Sequence, residues 1–475
     1  MNNSFLKKNL LLALALAAFL AGTPACTTVE EAREAQKPEN RLRGERTVSF
    51  DEYGFSAGTT LALSDLEAIA LEANPSVFQA RQSVVSARLA VQDIRADYLP
   101  TVDASGAYSR STHNTANTTH YNTYNRRGQS GHSDGYDEFG LSLDLLLWDF
   151  GKTDAKLQQA VEQLVSAEKD LLAAENLVRY NVRVAYFELR RNIELNTVSE
   201  QSVKQYREHL DQMLAYRDVG KGTRYDCTKA EVDYNNALLE NISTSNDIKT
   251  ARADLNLAVG FSESPDYELG GTVMGTFESD DVDELMAVAR EREPGLASLI
   301  ALERAASAYV DETVANLYPD IGLNLSATLT GNELSMPKVW EVLGGVNVSQ
   351  NVFNGGRNMR AIENAVAKLR TARSKVAAYE QDLYAKLCTA VLTLERAQKQ
   401  REVAALSEFA AKENFDIVTA QFNVGKASSL DRTDAQVSLT EARAAFVSAE
   451  YDYREAVAQI AYLIATDPEE ESIGD

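Results

Sequence analysis

Short segments with a period-two hydrophobic pattern occur in both halves of the chain. In residues 139–147 the odd positions are Phe or Leu, and Gly140, Ser142 and Asp144 lie between them. Residues 321–329 repeat this alternation, which predicts strands with one apolar and one polar face. Weaker versions accompany each of them. We therefore expect strands at about 101–110, 138–148, 320–330 and 340–353.

Two long stretches carry a helical pattern instead. Residues 152–218 and 357–423 are each 67 positions long and contain neither Gly nor Pro. A continuous helix of that length would extend roughly 100 Å, far more than a helix of an ordinary globular domain. A second helical segment follows each stretch, at 226–259 and 431–466, the latter with a coiled-coil-like apolar seam. A short turn between such helices predicts an antiparallel helical hairpin in each half.

The two halves are an internal repeat. The segments "VGKGTRYDCTKAE" (219–231) and "VGKASSLDRTDAQ" (424–436) lie 205 positions apart. Upstream landmarks are 219 positions apart, which indicates a 14-residue insertion in the first half. The insertion falls in a polar stretch that we interpret as a loop at 110–138. We place the two repeats at 61–260 and 282–466.

The N-terminus indicates export. Lys7 and Lys8 precede an apolar run, and small residues follow it, so residues 1–25 are typical of a cleaved signal peptide. Cys26 then occupies the position of a lipidated cysteine, although ordinary cleavage nearby explains the same residues.

Charge and composition narrow the function further. The formal net charge is −23, and it becomes −25 once residues 1–25 are removed. Such a surface repels nucleic acid, so we expect no nucleic-acid partner. The sequence contains no nucleophile elbow and no metal-spaced cluster of His and Cys, and its three cysteines have no disulfide spacing. We expect neither an enzyme nor a cofactor or metal site.

Strands of this kind fit either a membrane barrel or a half-buried soluble sheet. Outer-membrane barrels need about eight or more strands, and an open sheet edge in lipid leaves backbone groups unpaired. If the four strands lie in a membrane, several copies of the chain must therefore share one barrel. Three copies would supply twelve strands.

The ordered landmarks resemble the outer-membrane efflux protein family, the TolC-like exit ducts of Gram-negative bacteria. The resemblance covers about 61–466 and rests on landmarks that recur in both halves. These are "LALSDLEAIALEANPSVFQARQSVVSARLAVQDIRADYLP" (61–100), the junctions "LLLWDFGK" and "NVFNGGR", and the two Val-Gly turns.

The resemblance implies a mainly α fold with a β-barrel portion. Three protomers would form a twelve-stranded barrel in outer-membrane lipid and a helical tunnel in the periplasm. Such ducts dock onto a periplasmic adaptor (membrane fusion) protein and an inner-membrane pump, and they have no chemistry of their own. Segments 26–60 and 261–281 and the acidic tail 467–475 would surround the helices. The alternative function is a periplasmic or surface coiled-coil scaffold without a pore.

The resemblance also implies two functional sites. The hairpin tips would contact the adaptor. The alternative is that these turns only connect the helices. The tip residues are Val219, Gly220, Lys221, Val424, Gly425 and Lys426.

Asp431 and Asp434 would form carboxylate rings at a periplasmic gate, which would favour cations. The alternative role of Asp431 is a helix N-cap, which we also assign to its repeat partner Asp226.

The family's closed state is held by polar links near the tip, at positions that align with Tyr225, Phe422 and Ala427. Phe422 has no hydroxyl group and Ala427 has no charge. The latch of this protein must therefore differ from that of the family.

Overall fold

The computed structural model describes most of the chain between residues 58 and 466. The described residues are 32–33, 36, 58–112, 133–220, 222–261, 267–270, 281–332 and 339–466. The expected signal peptide, Cys26, Lys221, the acidic tail and the central part of the polar loop lie outside these residues.

Each half contains two helices, two strands, a long helix and a further helix, in that order. In the first half these are α1 (Leu63–Ala73), α2 (Pro75–Ala96), β2 (Thr101–Thr112), β3 (Ser133–Trp148), α3 (Lys152–Asp218) and α4 (Arg224–Val259). In the second half they are α5 (Val282–Arg292), α6 (Pro294–Ala315), β5 (Asp320–Asn332), β6 (Val339–Ser349), α7 (Arg357–Asn423) and α8 (Ser429–Ile464). The two-residue strands β1 (Thr60–Leu61) and β4 (Glu268–Leu269) pair in parallel.

The long helices α3 and α7 occupy the two stretches without Gly or Pro. Both residue types disfavour a helix interior, so the first glycine after each stretch marks the helix end. Gly220 and Gly425 have φ values of +75° and +74°, a backbone conformation that side chains with a Cβ rarely adopt. The internal repeat and the helical hairpins expected from the sequence are thus confirmed.

The four long strands form one antiparallel sheet in the order β2-β3-β5-β6. Its register places apolar residues of neighbouring strands opposite each other, as in the pairs Phe139–Leu329 and Leu143–Leu325. On the other face the Asn324 amide donates a hydrogen bond to the Asp144 carboxylate at 2.8 Å. The sheet therefore has one apolar and one polar face.

The apolar face is exposed in the single chain. Leu325 in the centre of the sheet is 45% exposed and Val346 on β6 is 62% exposed. Strands β2 and β6 each have one strand neighbour among the described residues. The described residues of one chain thus leave both an apolar surface and two sheet edges uncovered.

Four predicted strand ends were wrong, and one of them is the end of β5, which is Asn332 instead of 330. Strands β2 and β3 reach Thr112 and Ser133, so the predicted loop at 110–138 is too long at both ends. The ladder extends past the last apolar residues because backbone hydrogen bonds do not require an apolar side chain. Strand β6 ends at Ser349 instead of 353, since its last partner, Asp320, begins β5.

The chain divides into two compact units. The first comprises Met1–Phe78, Leu177–Gly275 and Leu394–Ala458. In its core Arg183 of α3 forms an ion pair with Glu67 of α1, with 2.6 Å between Nε and Oε1, and the Tyr186 hydroxyl donates to the Gly270 carbonyl. Leu66, Leu189 and Leu255 are fully buried around these contacts.

The second unit comprises Gln79–Asn176, Thr276–Thr393 and Gln459–Asp475. It contains the four-stranded sheet and a helical core in which Ser166 and Ser298 share a buried hydrogen bond of 2.9 Å. Across the described ranges, no helix is both long and apolar enough to cross a membrane.

The positive φ at Gly425 generates a stability prediction. We expect Gly425→Ala to destabilise the second hairpin tip by about 1–2 kcal/mol, because a Cβ disfavours the left-handed conformation. No atom lies within 4 Å of the position of such a Cβ, so backbone strain alone is tested. Hydrogen exchange of the tip amides measures the effect. Gly425→Asn is the matched control, since asparagine tolerates this conformation, and equal losses in both variants would contradict the explanation.

Candidate functional site: the helix tips

The two turns between long helices end those helices in the same way. After α7, the Gly425 N–H donates to the Phe422 carbonyl at 3.0 Å and the Lys426 N–H donates to the Gln421 carbonyl at 2.8 Å. This pair of bonds is a Schellman motif, which satisfies the last carbonyls of a helix. After α3, the Gly220 N–H makes the corresponding bond to the Arg217 carbonyl at 2.9 Å.

Each following helix begins with a reciprocal capping box. The Ser428 hydroxyl and N–H both donate to the Asp431 carboxylate, at 2.7 and 2.8 Å, and the Asp431 N–H donates back to the hydroxyl. Thr223 and Asp226 make the same three bonds in the first repeat. Thr223 and Ser428 are thus the N-cap residues, and the N-cap position expected for Asp226 and Asp431 was wrong. Each aspartate is instead the third residue of its helix and completes the capping box, which holds the start of that helix rigid.

The turns present apolar side chains to solvent. Val219 is 68% exposed and Val424 is 69% exposed, and Gly220, Gly425 and Lys426 are exposed beside them. The two Val-Gly turns therefore form equivalent exposed surfaces at the ends of the two hairpins.

The predicted gate aspartates lie on one exposed face of α8. Asp431 and Asp434 are both exposed, and residues three apart are neighbours on a helix. The hydrogen bonds from Ser428, the hydroxyl first, lower the pKa of Asp431, which is therefore ionised near neutral pH.

A buried tyrosine lies beside this acidic face. Burial, followed by the charges of Asp233, Glu441 and Asp434, raises the pKa of Tyr206 to about 12. Tyr206 is thus neutral and the surrounding field is negative.

Two of the three aligned latch positions pack in an apolar cluster. Phe422 is buried against Met213, Cys227 and Ala230, and Ala427 packs against the same group. Tyr225, in contrast, is exposed. Within one chain, hydrophobic packing thus occupies the place where the resemblance implied polar links.

A polar cluster that the sequence did not reveal joins α3 to α8 beside these residues. The Arg432 guanidinium donates through Nη1 to His209 Nδ1 at 2.6 Å and to Gln212 Oε1 at 3.0 Å. His209 Nε2 lies 3.1 Å from the Ser429 hydroxyl, and Arg432 Cζ stacks 5.6 Å from the centre of the Phe422 ring. His209 and Arg432 are 223 positions apart and match no sequence motif. The one sequence feature that pointed to their contact is the repeat, because it predicts two equivalent hairpins whose tips lie close together.

The described residues contain no group of three or more His, Cys, Asp or Glu side chains that fits a metal ion. Cys227 is buried and Cys388 is partly buried, and both are free thiols. The chemistry available at the tips is therefore charge, hydrogen bonding and hydrophobic contact.

Comparison with known proteins identifies relatives by sequence and solved structures with a similar fold. The chain is 27% identical to the outer membrane efflux protein BepC of Brucella suis over 331 residues, which are 69% of this chain and 71% of BepC. Its fold is similar to that of a membrane protein from Pseudomonas aeruginosa, with a TM-score of 0.74, 19% identity and coverage of 87% and 92% of the two chains. It is also similar to the open state of the MtrE outer membrane channel of Neisseria gonorrhoeae, with a TM-score of 0.72, 20% identity and coverage of 85% and 89%.

The family model for outer membrane efflux proteins matches the chain twice, at residues 66–261 and 285–466. The two matches correspond to the two structural repeats and together cover more than half of the chain. The family consists of channel proteins and not of enzymes. The chain thus belongs to the outer membrane efflux protein family.

Proposed function

We propose that the protein is a passive, homotrimeric exit duct in the outer membrane of a Gram-negative bacterium. Most of its chain would lie in the periplasm, where it would dock onto an adaptor protein and an inner-membrane pump. The observation that carries this proposal is the four-stranded sheet, with its exposed apolar face and two free edges. The pump would supply the energy and much of the substrate choice.

The topology of the sheet is suited to closure by identical copies. With four antiparallel strands, β6 of one copy runs antiparallel to β2 of the next, so a ring of copies continues the same ladder. Two copies would supply the minimum of about eight strands, and three would supply the twelve that the resemblance implies. The apolar face would then contact lipid and the polar face would line the pore.

Exposed apolar positions on two helices support lateral packing of copies. Each of these side chains is at least half exposed: Val232, Leu239 and Ile242 on α4, and Val403 and Leu406 on α7. Their spacings of three and seven residues are typical of coiled-coil seams. A neighbouring copy would cover these residues as it extends the sheet.

The tips support the docking part of the proposal. Val219 and Val424 present two apolar side chains per chain on rigid turns, and therefore six in a trimer. Rigid, exposed apolar groups lose little entropy on binding and are suited to protein contacts. The proposed partner surface is the adaptor.

The alternative function, a scaffold without a pore, accounts less well for the sheet. A soluble scaffold would have to keep the contiguous apolar face of four strands in water, and such patches are rare on soluble monomers. The similarity of the fold to the MtrE outer membrane channel, which covers 85% of this chain, also favours the duct.

A charge on the apolar face tests insertion into lipid. We expect Leu325→Arg to destabilise the assembled barrel by about 2–4 kcal/mol, because an arginine near the membrane midplane is poorly solvated. The measurement is the yield of heat-sensitive oligomer in outer-membrane extracts. Ser326→Arg, one position along on the polar face, is the matched control and should assemble normally. Equal assembly of both variants would argue against a lipid-facing surface.

The gate aspartates are tested by removing charge while keeping the cap. The variant Asp431→Asn/Asp434→Asn should lose cation preference and divalent block in planar bilayers, because the amide oxygen at 431 can still accept from the Ser428 N–H while both carboxylate charges are removed. Asp226→Asn is the control in the first repeat and should conduct like the unmodified protein. Unchanged selectivity in the double variant would count against the carboxylate rings.

Docking is tested at the tips. We expect Val219→Asp/Val424→Asp to lose most efflux in cells while the oligomer still assembles, since buried carboxylates at the contact would remain unpaired. Efflux of a pump substrate and oligomer yield are measured together. Normal efflux by this variant would show that the valines do not contribute to docking.

A further inference from the structure

The neighbours of His209 hold its neutral ring in one tautomer. The residue is 4% exposed, and Arg432 Nη1 donates to its Nδ1. A guanidinium has no lone pair to accept with, so Nδ1 must be unprotonated. The ring proton of neutral His209 therefore resides on Nε2, which donates to the Ser429 hydroxyl. Both ring nitrogens of this α3 residue thus bond to α8.

The charged and titratable groups around His209 come from three helices. Arg432 belongs to α8, and α4 contributes the carboxylates of Asp226 and Asp233, the latter also paired with Lys229 at 2.9 Å. On α3 itself the neutral Tyr206 lies one turn away. Helix α7 contributes the Phe422 ring, which meets the imidazole edge to face with centroids 5.9 Å apart. The charged group that contacts the His209 ring directly is therefore the Arg432 guanidinium.

Protonation of Nδ1 would remove the acceptor of the bond that Arg432 of α8 donates to α3. It would also place an imidazolium 2.6 Å from a guanidinium in a largely buried site. The carboxylates of α4 act in the opposite direction, but their effect on His209 is smaller than those of burial and of Arg432. A proton on His209 is thus compatible with α8 only after Arg432 moves away.

We propose that His209 and Arg432 form an acid-sensitive latch, which holds the tip of α8 against α3 until a proton binds Nδ1. The idea rests on the proposed duct, because the helix that is released carries Asp431 and Asp434 at the gate. Arg432 lies between these two aspartates in the sequence, so movement of its backbone moves both carboxylates. The latch lies beside Phe422, one of the aligned positions that has no polar side chain in this protein.

The direction of the pH effect follows from linkage. Burial and the charge of Arg432 lower the pKa of His209 to about 4, whereas a separated tip would expose a histidine with an ordinary pKa of about 6.5. The separated state therefore binds the extra proton at pH values between these two. The latch is fully stable above about pH 6.5 and weakens by up to tenfold per pH unit as the pH falls towards 4.

Hydrogen exchange of residues 424–440 in the purified full-length protein tests the latch directly. His209→Asn is the key variant, because its side-chain oxygen can accept from Arg432 and does not titrate. At each pH the unmodified protein is compared with this variant, so the intrinsic pH dependence of exchange cancels. The exchange rate of the tip in the unmodified protein, divided by that in His209→Asn, should rise more than tenfold as the pH falls from about 7 to 5. A ratio that stays constant would overturn the proposal.

Two further variants keep the result interpretable. His120→Asn removes a histidine from the polar loop and should leave the acid response of the tip unchanged. Arg432→Gln should raise tip exchange at neutral pH and weaken the response to acid without abolishing it, because burial still lowers the pKa of His209. This variant tests the latch even if His209→Asn does not fold. A full acid response in Arg432→Gln would overturn the proposal.

A separate readout distinguishes the latch from the duct. Bilayer conductance should increase as the pH on the tip side falls, and it should not in His209→Asn. If the tip releases on acidification but no conductance is seen at any pH, the proposed duct fails and the latch stands. If conductance is normal and the tip shows no acid response relative to His209→Asn, the latch fails and the duct stands.

Discussion

The pairing of backbone groups at the edges of a sheet is the constraint on which the account depends. A strand edge in lipid has no water to bond with, and each unpaired amide or carbonyl costs several kcal/mol. One chain of this protein provides four strands, an apolar face and two free edges. In the assembly that we propose, further copies of the chain would pair with these edges, and the apolar face would contact lipid. Backbone hydrogen bonding thus requires that several copies share one sheet, and the family resemblance sets the number that we propose at three.

The two helical hairpins must each reverse the chain at the tip, and the two repeats do this in the same way. Each hairpin turns through a glycine with positive φ and restarts with a capping box, so both tips are rigid and expose a valine. The repeats diverge where the helices contact each other. The first hairpin has Cys227 where the second has Arg432, and only the second links its tip to α3 through a buried histidine. We therefore propose that both tips dock onto the adaptor and that the second tip also controls the gate.

The sequence was sufficient for the features that depend on local rules. Alternation at Phe139–Leu147 and Ile321–Leu329 predicted the faces of the sheet, and the absence of Gly and Pro predicted the extent of α3 and α7. The repeat offset predicted two equivalent hairpins, and the family match confirms the repeat. Strand ends at Thr112 and Ser133 were missed because the ladder continues beyond the apolar residues. The bonds between His209 and Arg432 were missed because a contact across 223 positions depends on tertiary packing, which no local pattern encodes.

The number of chains that share one sheet is the central claim, and native mass spectrometry of the full-length protein released from detergent measures it most directly. The account predicts a single species with the mass of three chains, which separates into single chains only after heating. A monodisperse single chain that retains its β structure in detergent would contradict it, because the edges of β2 and β6 would then need no partner.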